Sequence, residues 1–242
     1  MAPLVLITGA TQGIGLAAAQ ILASKHNYHV LIGARNPETG EKTALALREA
    51  GHLATFVQVD LTSEQSIKTA VATIERDFGY LDILINNAAV LLDTKKDIST
   101  WDLYTQTFTP NIIGTGTLTE SLIPLLRKAK ATPPTIIFVS SSMGSLHYSF
   151  DSSVPWYPID YKVYDASKAA VNMLTANYHR IFGPEGWKVN SVCPGLVKTN
   201  LSGYMEGGVT TDVGATRIVQ LATAGEDGLS GTFTDKDGVV PW

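Results

Sequence analysis

The sequence contains almost no cysteine: Cys193 is the only one in 242 residues. A single thiol cannot form a disulfide within the chain, which excludes a small disulfide-stabilised secreted scaffold. Long apolar runs are also missing, because no window reaches the roughly 18 uninterrupted apolar residues that mark a membrane-spanning helix. The apolar start MAPLVLITGA lacks the basic region and the length of a secretory leader. We therefore expect a cytoplasmic protein that does not enter a membrane.

Charge is sparse as well, since 17% of the residues are charged and the net charge is -4. A chain without a basic surplus lacks the electrostatic footprint of a nucleic-acid-binding protein. We expect neither nucleic acid nor a metal ion among its partners. With 45% hydrophobic residues and no linker or long internal repeat, residues 1–242 are predicted to form one globular domain with a sizeable core.

Short runs rich in β-branched residues alternate with longer helical patterns along the whole chain. The six runs cover residues 4–8, 29–34, 54–60, 81–88, 135–141 and 188–195. Several are apolar throughout, which is typical of parallel strands buried on both faces. Strands that alternate with helices are joined by right-handed crossovers. The pattern predicts an α/β fold, a Rossmann-like doubly wound parallel sheet with helices on both faces.

Two segments show no clean period. Residues 143–162 combine Trp156, Tyr157 and Tyr161 with proline and serine, which favours either an insertion beside a substrate site or a plain surface loop. Residues 199–212 contain the glycine pair of EGGV, which suits a mobile lid or an ordinary solvent loop. The aromatic content of both segments favours an apolar, ring-containing substrate.

The stretch VLITGATQGIG leads from the first strand into an alanine-rich helix. Glycines at such a junction allow a tight turn and a close backbone approach to a pyrophosphate at the helix N-terminus, although glycine-rich turns also occur without a ligand. The surrounding strand and helix favour dinucleotide binding. The expected contacts are Gly9, Thr11, Gln12, Gly13, Ile14 and Gly15.

Cofactor specificity is predicted from the end of the second strand. Ala34 and Arg35 stand where an NAD-binding protein has an acidic residue for the ribose hydroxyls. A guanidinium matches a phosphate with two hydrogen bonds, so Arg35 favours NADP(H); the alternative is a surface arginine at a helix start.

Further cofactor contacts are predicted at the ends of the later strands. Asp60 either accepts from the adenine amino group or caps the helix that begins near LTSEQS. Asn86 is expected to brace the sheet, and the CPG turn lies where open α/β sheets bind ligands. The remaining expected contacts are Leu61, the backbone at Asn87 and Ala88, and Pro194, Gly195, Val197 and Thr199.

Six motifs occur in a family-like order along nearly the whole chain. They are TGATQGIG (8–15), NNAA (86–89), Asn111 in TPNIIGT, VSSS (139–142), YDASK (164–168) and CPGLVKT (193–199). In these motifs the sequence resembles the short-chain dehydrogenase/reductase family, and its ending resembles carbonyl-reductase-like members that use NADP(H). The resemblance implies a catalytic tetrad of Asn111, Ser141, Tyr164 and Lys168.

The chain also departs from the family pattern. Ala89 replaces a usual glycine, Phe138 replaces a common polar residue, and 23 positions separate Ser141 from Tyr164. The resemblance further implies that the helices around 101–129 and 161–182 pair across a two-fold axis, which predicts a homodimer or homotetramer. A monomer is the alternative if the aromatic insertion covers that surface.

The tetrad suggests a chemistry. Tyr164 and Lys168 lie four apart, on one face of a helix, although such a pair is more often a solvated surface contact. Reduction of a carbonyl needs a proton donor, and a free phenol with a pKa of about 10 is too weak unless a nearby cation lowers that pKa. The ammonium of Lys168 would lower the pKa of Tyr164, and Ser141 would hydrogen-bond the substrate oxygen. Asn111 would either bind a water that passes protons to Lys168 or stabilise a kink in its helix.

The predicted function is therefore the NADPH-dependent reduction of a ketone or aldehyde, reversible with the secondary alcohol. One alternative is a catalytically silent NADP-binding protein, which would have no need to keep these four side chains in register. Another is a pathway enzyme that reduces an imine or enone on the same fold.

Overall fold

The computed structural model describes residues 1–242 and contains one sheet of seven parallel strands. The strands are β1 (Leu4–Thr8), β2 (His29–Ala34), β3 (Ala54–Gln58), β4 (Ile83–Asn86), β5 (Thr135–Val139), β6 (Lys188–Val192) and β7 (Thr232–Thr234). Their spatial order is β3-β2-β1-β4-β5-β6-β7. The predicted doubly wound Rossmann-like sheet is confirmed.

The number of strands differs from the sequence prediction. Six strands were expected, whereas the short β7 adds a seventh by pairing with β6 from Asn190 to Val192. A three-residue strand is too short to show a periodic pattern in a sequence.

Helices cover both faces of the sheet. They are α1 (Gly13–His26), α2 (Pro37–Glu49), α3 (Glu64–Asp77), α4 (Thr100–Phe108), α5 (Thr115–Leu126), α6 (Leu146–Ser149), α7 (Lys162–Phe182) and α8 (Thr211–Thr223). A π-helical segment, Thr109–Gly114, joins α4 to α5, and single 3-10 turns lie at Ser142–Gly144, Gly183–Glu185 and Gly225–Asp227. None of these helices combines the length and apolar character needed to span a membrane.

Two apolar clusters of nearly equal size hold the layers together, with 24 and 23 buried residues. Successive residues of a strand point to opposite faces, so Val5 and Ile7 of β1 pack under α1 and α8, whereas Leu4 and Leu6 pack under α3, α5 and α7. Both faces of the sheet are therefore buried, which is why the strand sequences are apolar throughout.

The strands end earlier than the sequence runs suggested. Runs predicted to reach residues 60, 88, 141 and 195 stop as strands at Gln58, Asn86, Val139 and Val192. The extra residues form loops at the carboxyl edge of the sheet. The strand order reverses between β1 and β4. In open α/β sheets, the crevice that binds a ligand lies at the carboxyl ends of the strands at such a reversal.

The two aperiodic segments lie after β5 and β6, at this same edge. The segment 143–162 contains the short α6 and a run of turns before α7 begins at Lys162. The segment 199–212 contains turns up to the start of α8 at Thr211. Val197 forms an isolated β-bridge with Val209, which closes the second segment at its base.

Candidate active site

The glycine-rich loop presents an uncapped helix N-terminus. Gln12 occupies the N-cap position of α1 without a side-chain capping bond, and the first turn carries no acidic residue. Gly9 and Gly13 have φ angles of 66° and 57°, in the region that favours glycine. The first N–H groups of α1 are thus free of side-chain acceptors and, with the helix dipole, suit a phosphate group.

Gly15 permits the tightest contact in this loop. A Cβ atom there would lie 2.5 Å from Asn87 Nδ2 and 2.5 Å from the Gly9 carbonyl oxygen. Asn87 Nδ2 itself donates to the Thr8 carbonyl at 2.8 Å. The Asn87 side chain therefore connects the end of β4 to the glycine loop, a role that the sequence prediction did not include.

The backbone N–H groups of Asn87 and Ala88 are also committed within the protein. Both donate to Thr8 Oγ1 at 3.0 Å. The expected backbone contact with a cofactor would have to use the carbonyl groups instead. Asn86 donates from Nδ2 to Thr119 Oγ1 at 3.0 Å, in keeping with a bracing role, while its Oδ1 has no hydrogen-bond partner.

Arg35 follows β2 at the rim of the crevice. Its side chain is exposed and takes part in none of the ion pairs of the chain. A free, always charged guanidinium at this place is available to an external phosphate.

Asp60 does not cap α3, so that alternative is wrong. Its Oδ1 accepts from Thr62 N at 2.9 Å and Thr62 Oγ1 at 2.7 Å, whereas Ser63 is the N-cap residue and accepts from Ser66 N at 3.2 Å. Asp60 stabilises the preceding turn. The neighbouring Leu61 is buried, and a side chain on Gly114 would overlap its carbonyl group.

The segment after β6 reaches across to the glycine loop. Val197 is buried and packs close to Gly214 of α8, while the Thr199 methyl group lies 3.3 Å from the point where a Cβ on Gly13 would stand. Gly195 has a φ of 75° and, with Pro194, makes the turn that leads there. The structure therefore brings the two predicted cofactor segments together.

Tyr164 and Lys168 are both buried on α7, so this pair is not a solvated surface contact. The Lys168 Nζ atom lies 5.5 Å from the centre of the Tyr164 ring. It donates a hydrogen bond of 2.7 Å to the Val139 carbonyl oxygen at the end of β5. The ammonium group is thus anchored to the sheet while it faces the phenol.

Burial dominates the protonation of both groups. It raises the pKa of Tyr164, the electrostatic influence of Cys193 and Asp165 acts in the same direction, and the nearby Ser141 hydroxyl acts against them. Burial lowers the pKa of Lys168 to about 8. The expected lowering of the Tyr164 pKa by Lys168 is therefore not produced by the surroundings that the chain supplies.

Ser141 lies between the end of β5 and the phenol. Its Oγ accepts from Met143 N at 3.2 Å, as the N-cap of the short turn Ser142–Gly144. The Ser141 hydroxyl lies near enough to the Tyr164 phenol to act against the rise of its pKa, so a hydroxyl held by the main chain stands beside the expected proton donor. This placement suits a group that binds a substrate oxygen.

Cys193 was overlooked as a site residue. Its buried sulfur accepts from Ser142 N at 3.2 Å and from Gly195 N at 3.4 Å, and so ties the turn after β5 to the turn after β6. Its position directly after a strand, in the CPG turn, was a signal that could have indicated a place at the carboxyl edge.

Asn111 lies in the π-helical segment, and its side chain is used by the protein. Nδ2 donates to the Val90 carbonyl at 2.9 Å and to Ser167 Oγ at 3.0 Å, while Oδ1 accepts from Val90 N at 2.9 Å. Both amide hydrogens are therefore occupied, which favours the kink-stabilising alternative for this side chain.

Comparison with known proteins agrees with this fold. A profile of the short chain dehydrogenase family matches residues 3–207. The chain belongs to this family. As a member of this family, the protein is an oxidoreductase that acts on a small-molecule substrate, and the family uses nicotinamide cofactors.

Individual relatives match almost the whole length of this chain. It is 34% identical over 245 residues to the short-chain dehydrogenase anuI of Penicillium roqueforti, with 98% of this chain and 96% of the relative covered. NADPH-bound carbonyl reductase from chicken fatty liver gives a TM-score of 0.84 at 29% identity, covering 100% of this chain and 99% of that one. Salutaridine reductase from Papaver somniferum gives 0.80 at 26% identity, covering 97% and 99%.

Proposed function

We propose that this short-chain dehydrogenase reduces a ketone or aldehyde with NADPH, reversibly with the secondary alcohol. The observation that carries the proposal is the meeting of three features at one edge of the sheet. These are a buried phenol beside a buried ammonium, a serine hydroxyl next to that phenol, and an uncapped helix N-terminus across the crevice. Together they provide a proton donor, a binding group for the substrate oxygen and a phosphate site.

Each member of the proposed tetrad has a distinct task. Tyr164, whose pKa is raised by burial, stays protonated at neutral pH and can donate its proton to a substrate oxygen held by Ser141. Lys168, with a pKa of about 8, is mostly charged at pH 7 and stabilises the phenolate that remains. Asn111 holds Ser167 and the loop at Val90 in place.

The residues present fit a dinucleotide cofactor. When bound, it supplies the hydride and, in its oxidised form, a positive charge next to the phenol. Gly9 and Gly13 make the turn before α1, the uncapped start of α1 offers its N–H groups to a phosphate, and the free guanidinium of Arg35 is available for the additional phosphate of NADP(H). Asp60 keeps one carboxylate oxygen, Oδ2, that makes no bond within the protein and can accept from an adenine amino group.

An apolar substrate is supported by the side chains along the two aperiodic segments. Exposed large apolar groups are concentrated there, at Leu146, Phe150, Tyr157, Ile159, Leu201, Tyr204 and Met205. Apolar groups that remain in contact with water at the carboxyl edge of a sheet are suited to cover a ring-containing ligand. We propose the same edge as the entrance for the carbonyl compound.

The proposed assembly is a homodimer or homotetramer. Apolar side chains are exposed along the helices expected to pair, at Trp101, Tyr104, Ile113, Met173 and Ile181. Burying such groups against a second copy removes apolar area from water. Light scattering at micromolar concentration should give at least twice the chain mass of 25.9 kDa; a mass of one chain would contradict the assembly.

The test of the proposed reaction is a panel of ketones, aldehydes, quinones and imines, each followed by the oxidation of NADPH. We expect turnover with apolar ketones or aldehydes. Tight NADPH binding without turnover on any compound would instead identify a silent NADP-binding protein. Turnover confined to imines would identify a different reaction on the same fold.

A further inference from the structure

The N-terminus of α7 is capped by a residue from a distant part of the chain. Tyr161, at the N-cap position of this helix, makes no side-chain capping bond. Instead, Asp93 Oδ1 accepts from Val163 N at 3.0 Å, and Asp93 Oδ2 accepts from Tyr164 N at 3.2 Å. These are the second and third helical N–H groups, the donors that an ordinary N-cap side chain satisfies. Asp93 lies in the loop between β4 and α4.

The same loop is also connected to the carbonyl group of Tyr164, by hydrogen bonds through Ser167 and Asn111. The Tyr164 carbonyl accepts from Ser167 Oγ at 2.7 Å, Ser167 Oγ accepts from Asn111 Nδ2, and Asn111 is bonded to both polar groups of the Val90 backbone. Val90 and Asp93 belong to one loop, so its position sets the position of both the N–H and the C=O of Tyr164.

We propose that Asp93 is a positioning residue of the reductase: its carboxylate caps α7 from the loop after β4 and fixes the main chain from which the Tyr164 phenol projects. The inference rests on the proposed function in one respect, since it takes Tyr164 as the proton donor. A carboxylate is suited to this place because its two oxygens serve two N–H groups and its charge lies at the positive end of the helix dipole.

A purely electrostatic role predicts a different outcome from capping. Asp93 is one of several carboxylates near this helix end, with Asp160 and Asp165, and Lys162 is paired with Asp160 at 2.8 Å. If only the charge of Asp93 mattered, Asn would be as poor a replacement as Ala. Capping predicts that Asn, which keeps one acceptor oxygen, lies between Asp and Ala.

The first arm of the test measures turnover and cofactor binding in Asp93→Ala, Asp93→Asn and the control Asp97→Asn. Asp97 is exposed in the same loop and makes no side-chain hydrogen bond or ion pair, so its substitution matches the charge change. We expect Asp93→Ala to lower kcat about 10-fold or more, because a small displacement of a catalytic group is costly, with Asp93→Asn in between. The Kd for NADPH should stay within about twofold in all three, since the glycine loop is untouched.

The second arm needs no substrate. Hydrogen exchange should report faster exchange at the Val163 and Tyr164 amides in Asp93→Ala, by roughly 3- to 30-fold, as expected for the loss of a helix cap. Unchanged exchange would overturn the proposal whatever the activity. If Asp93→Ala does not fold, kcat and the exchange of the Val163 and Tyr164 amides are measured in Asp93→Asn instead. Unchanged values of both in that variant would overturn the proposal.

The outcomes separate the two proposals. If the unmodified protein shows no turnover but the amides exchange faster in Asp93→Ala, the reductase function is contradicted. The capping of α7 by Asp93 is then still supported. An active unmodified protein whose Asp93→Ala variant keeps its kcat overturns the positioning role. Equal losses in Asp93→Asn and Asp93→Ala would also overturn it, in favour of a charge effect.

Discussion

The two sides of the crevice are built on different principles. The side formed by the loops after β1, β2 and β3 depends on missing side chains: glycines in the loop, an uncapped helix and an arginine without a partner. The side formed after β4, β5 and β6 depends on side chains that hydrogen-bond to the main chain, namely Asp93, Asn111, Ser141, Lys168 and Cys193. The first side leaves room and open donors for a ligand, and the second fixes groups whose protonation matters.

The largest expected effect comes from removing the phenol on the second side. Tyr164→Phe should lower turnover about 100-fold or more, the scale of general acid catalysis, while NADPH affinity stays nearly unchanged. The measurement is kcat together with cofactor titration. Tyr80→Phe, which removes a hydroxyl bonded to Met1 Sδ far from the crevice, is the control. Activity retained by Tyr164→Phe would show that another acid donates the proton.

Arg35 tests the first side. Arg35→Ala should weaken NADPH by roughly 10- to 150-fold, the effect of losing a charge-assisted contact, and should hardly change NADH affinity. The preference for NADPH should also decrease with salt. Ala34→Asp should turn the preference toward NADH, because a carboxylate accepts from ribose hydroxyls and repels a phosphate. Arg180→Ala, an exposed arginine on α7, controls for the lost charge.

Equal binding of the two cofactors in the unmodified protein, with no change in Arg35→Ala, would contradict this assignment. The arginine would then be an ordinary surface residue, and specificity would lie elsewhere in the crevice.

The requirement for a missing side chain can be tested at Gly15. Gly15→Ala places a Cβ 2.5 Å from Asn87 Nδ2 and from the Gly9 carbonyl, so the loop must shift. Overpacking of this kind costs about 1 to 3 kcal/mol. For a chain of this size, that should lower Tm by about 3 to 10 °C, measured by thermal unfolding.

Gly116→Ala is the matched control, because the nearest atom to its Cβ is Leu174 Cδ1 at 3.9 Å. This glycine also lies within a helix, where alanine is the better helix former. An equal loss of Tm in both variants would show that close packing at Gly15 is not the reason for its glycine.

The smallest expected effect concerns Asp165, beside the tetrad. Burial and the charges of Asp93 and Asp160 raise its pKa from 3.8 to about 7, and its Oδ1 has no hydrogen-bond partner. The unfolded chain therefore ionises this group at lower pH than the folded chain. The folded state is not destabilised below pH 3.8, the pKa of Asp165 in the unfolded chain. The destabilisation grows as the pH rises toward 7 and reaches its full size above pH 7.

Asp165→Asn should therefore raise Tm at pH 8 by about 2 to 4 °C, equivalent to about 1 kcal/mol after allowance for solvent screening. The gain should decrease as the pH is lowered from 7 toward 4. A gain that is the same at pH 4.5 and pH 8 would mean that ionisation of Asp165 is not its cause.

Much of the fold could be predicted because its signals are local. The short apolar runs of β1 to β6 are typical of parallel strands buried on both faces, and the glycine loop is a contiguous motif. The strand ends and β7 escaped prediction. Hydrogen bonds to a neighbouring strand decide where pairing stops, and the three residues of β7 are strands only because β6 lies beside them.

The sequence by itself determined the order of strands and helices, the family, and the spacing that puts Tyr164 and Lys168 on one helical face. Only the tertiary structure decided what surrounds them. The Val139 carbonyl accepts from Lys168, and the Cys193 sulfur accepts from Ser142 N. Asp93, 71 positions before Tyr164, caps the helix that carries both residues. Residue types and periods describe a neighbourhood of a few positions. Burial, which raises one pKa and lowers the other, arises from segments that are distant in sequence and packed together in space.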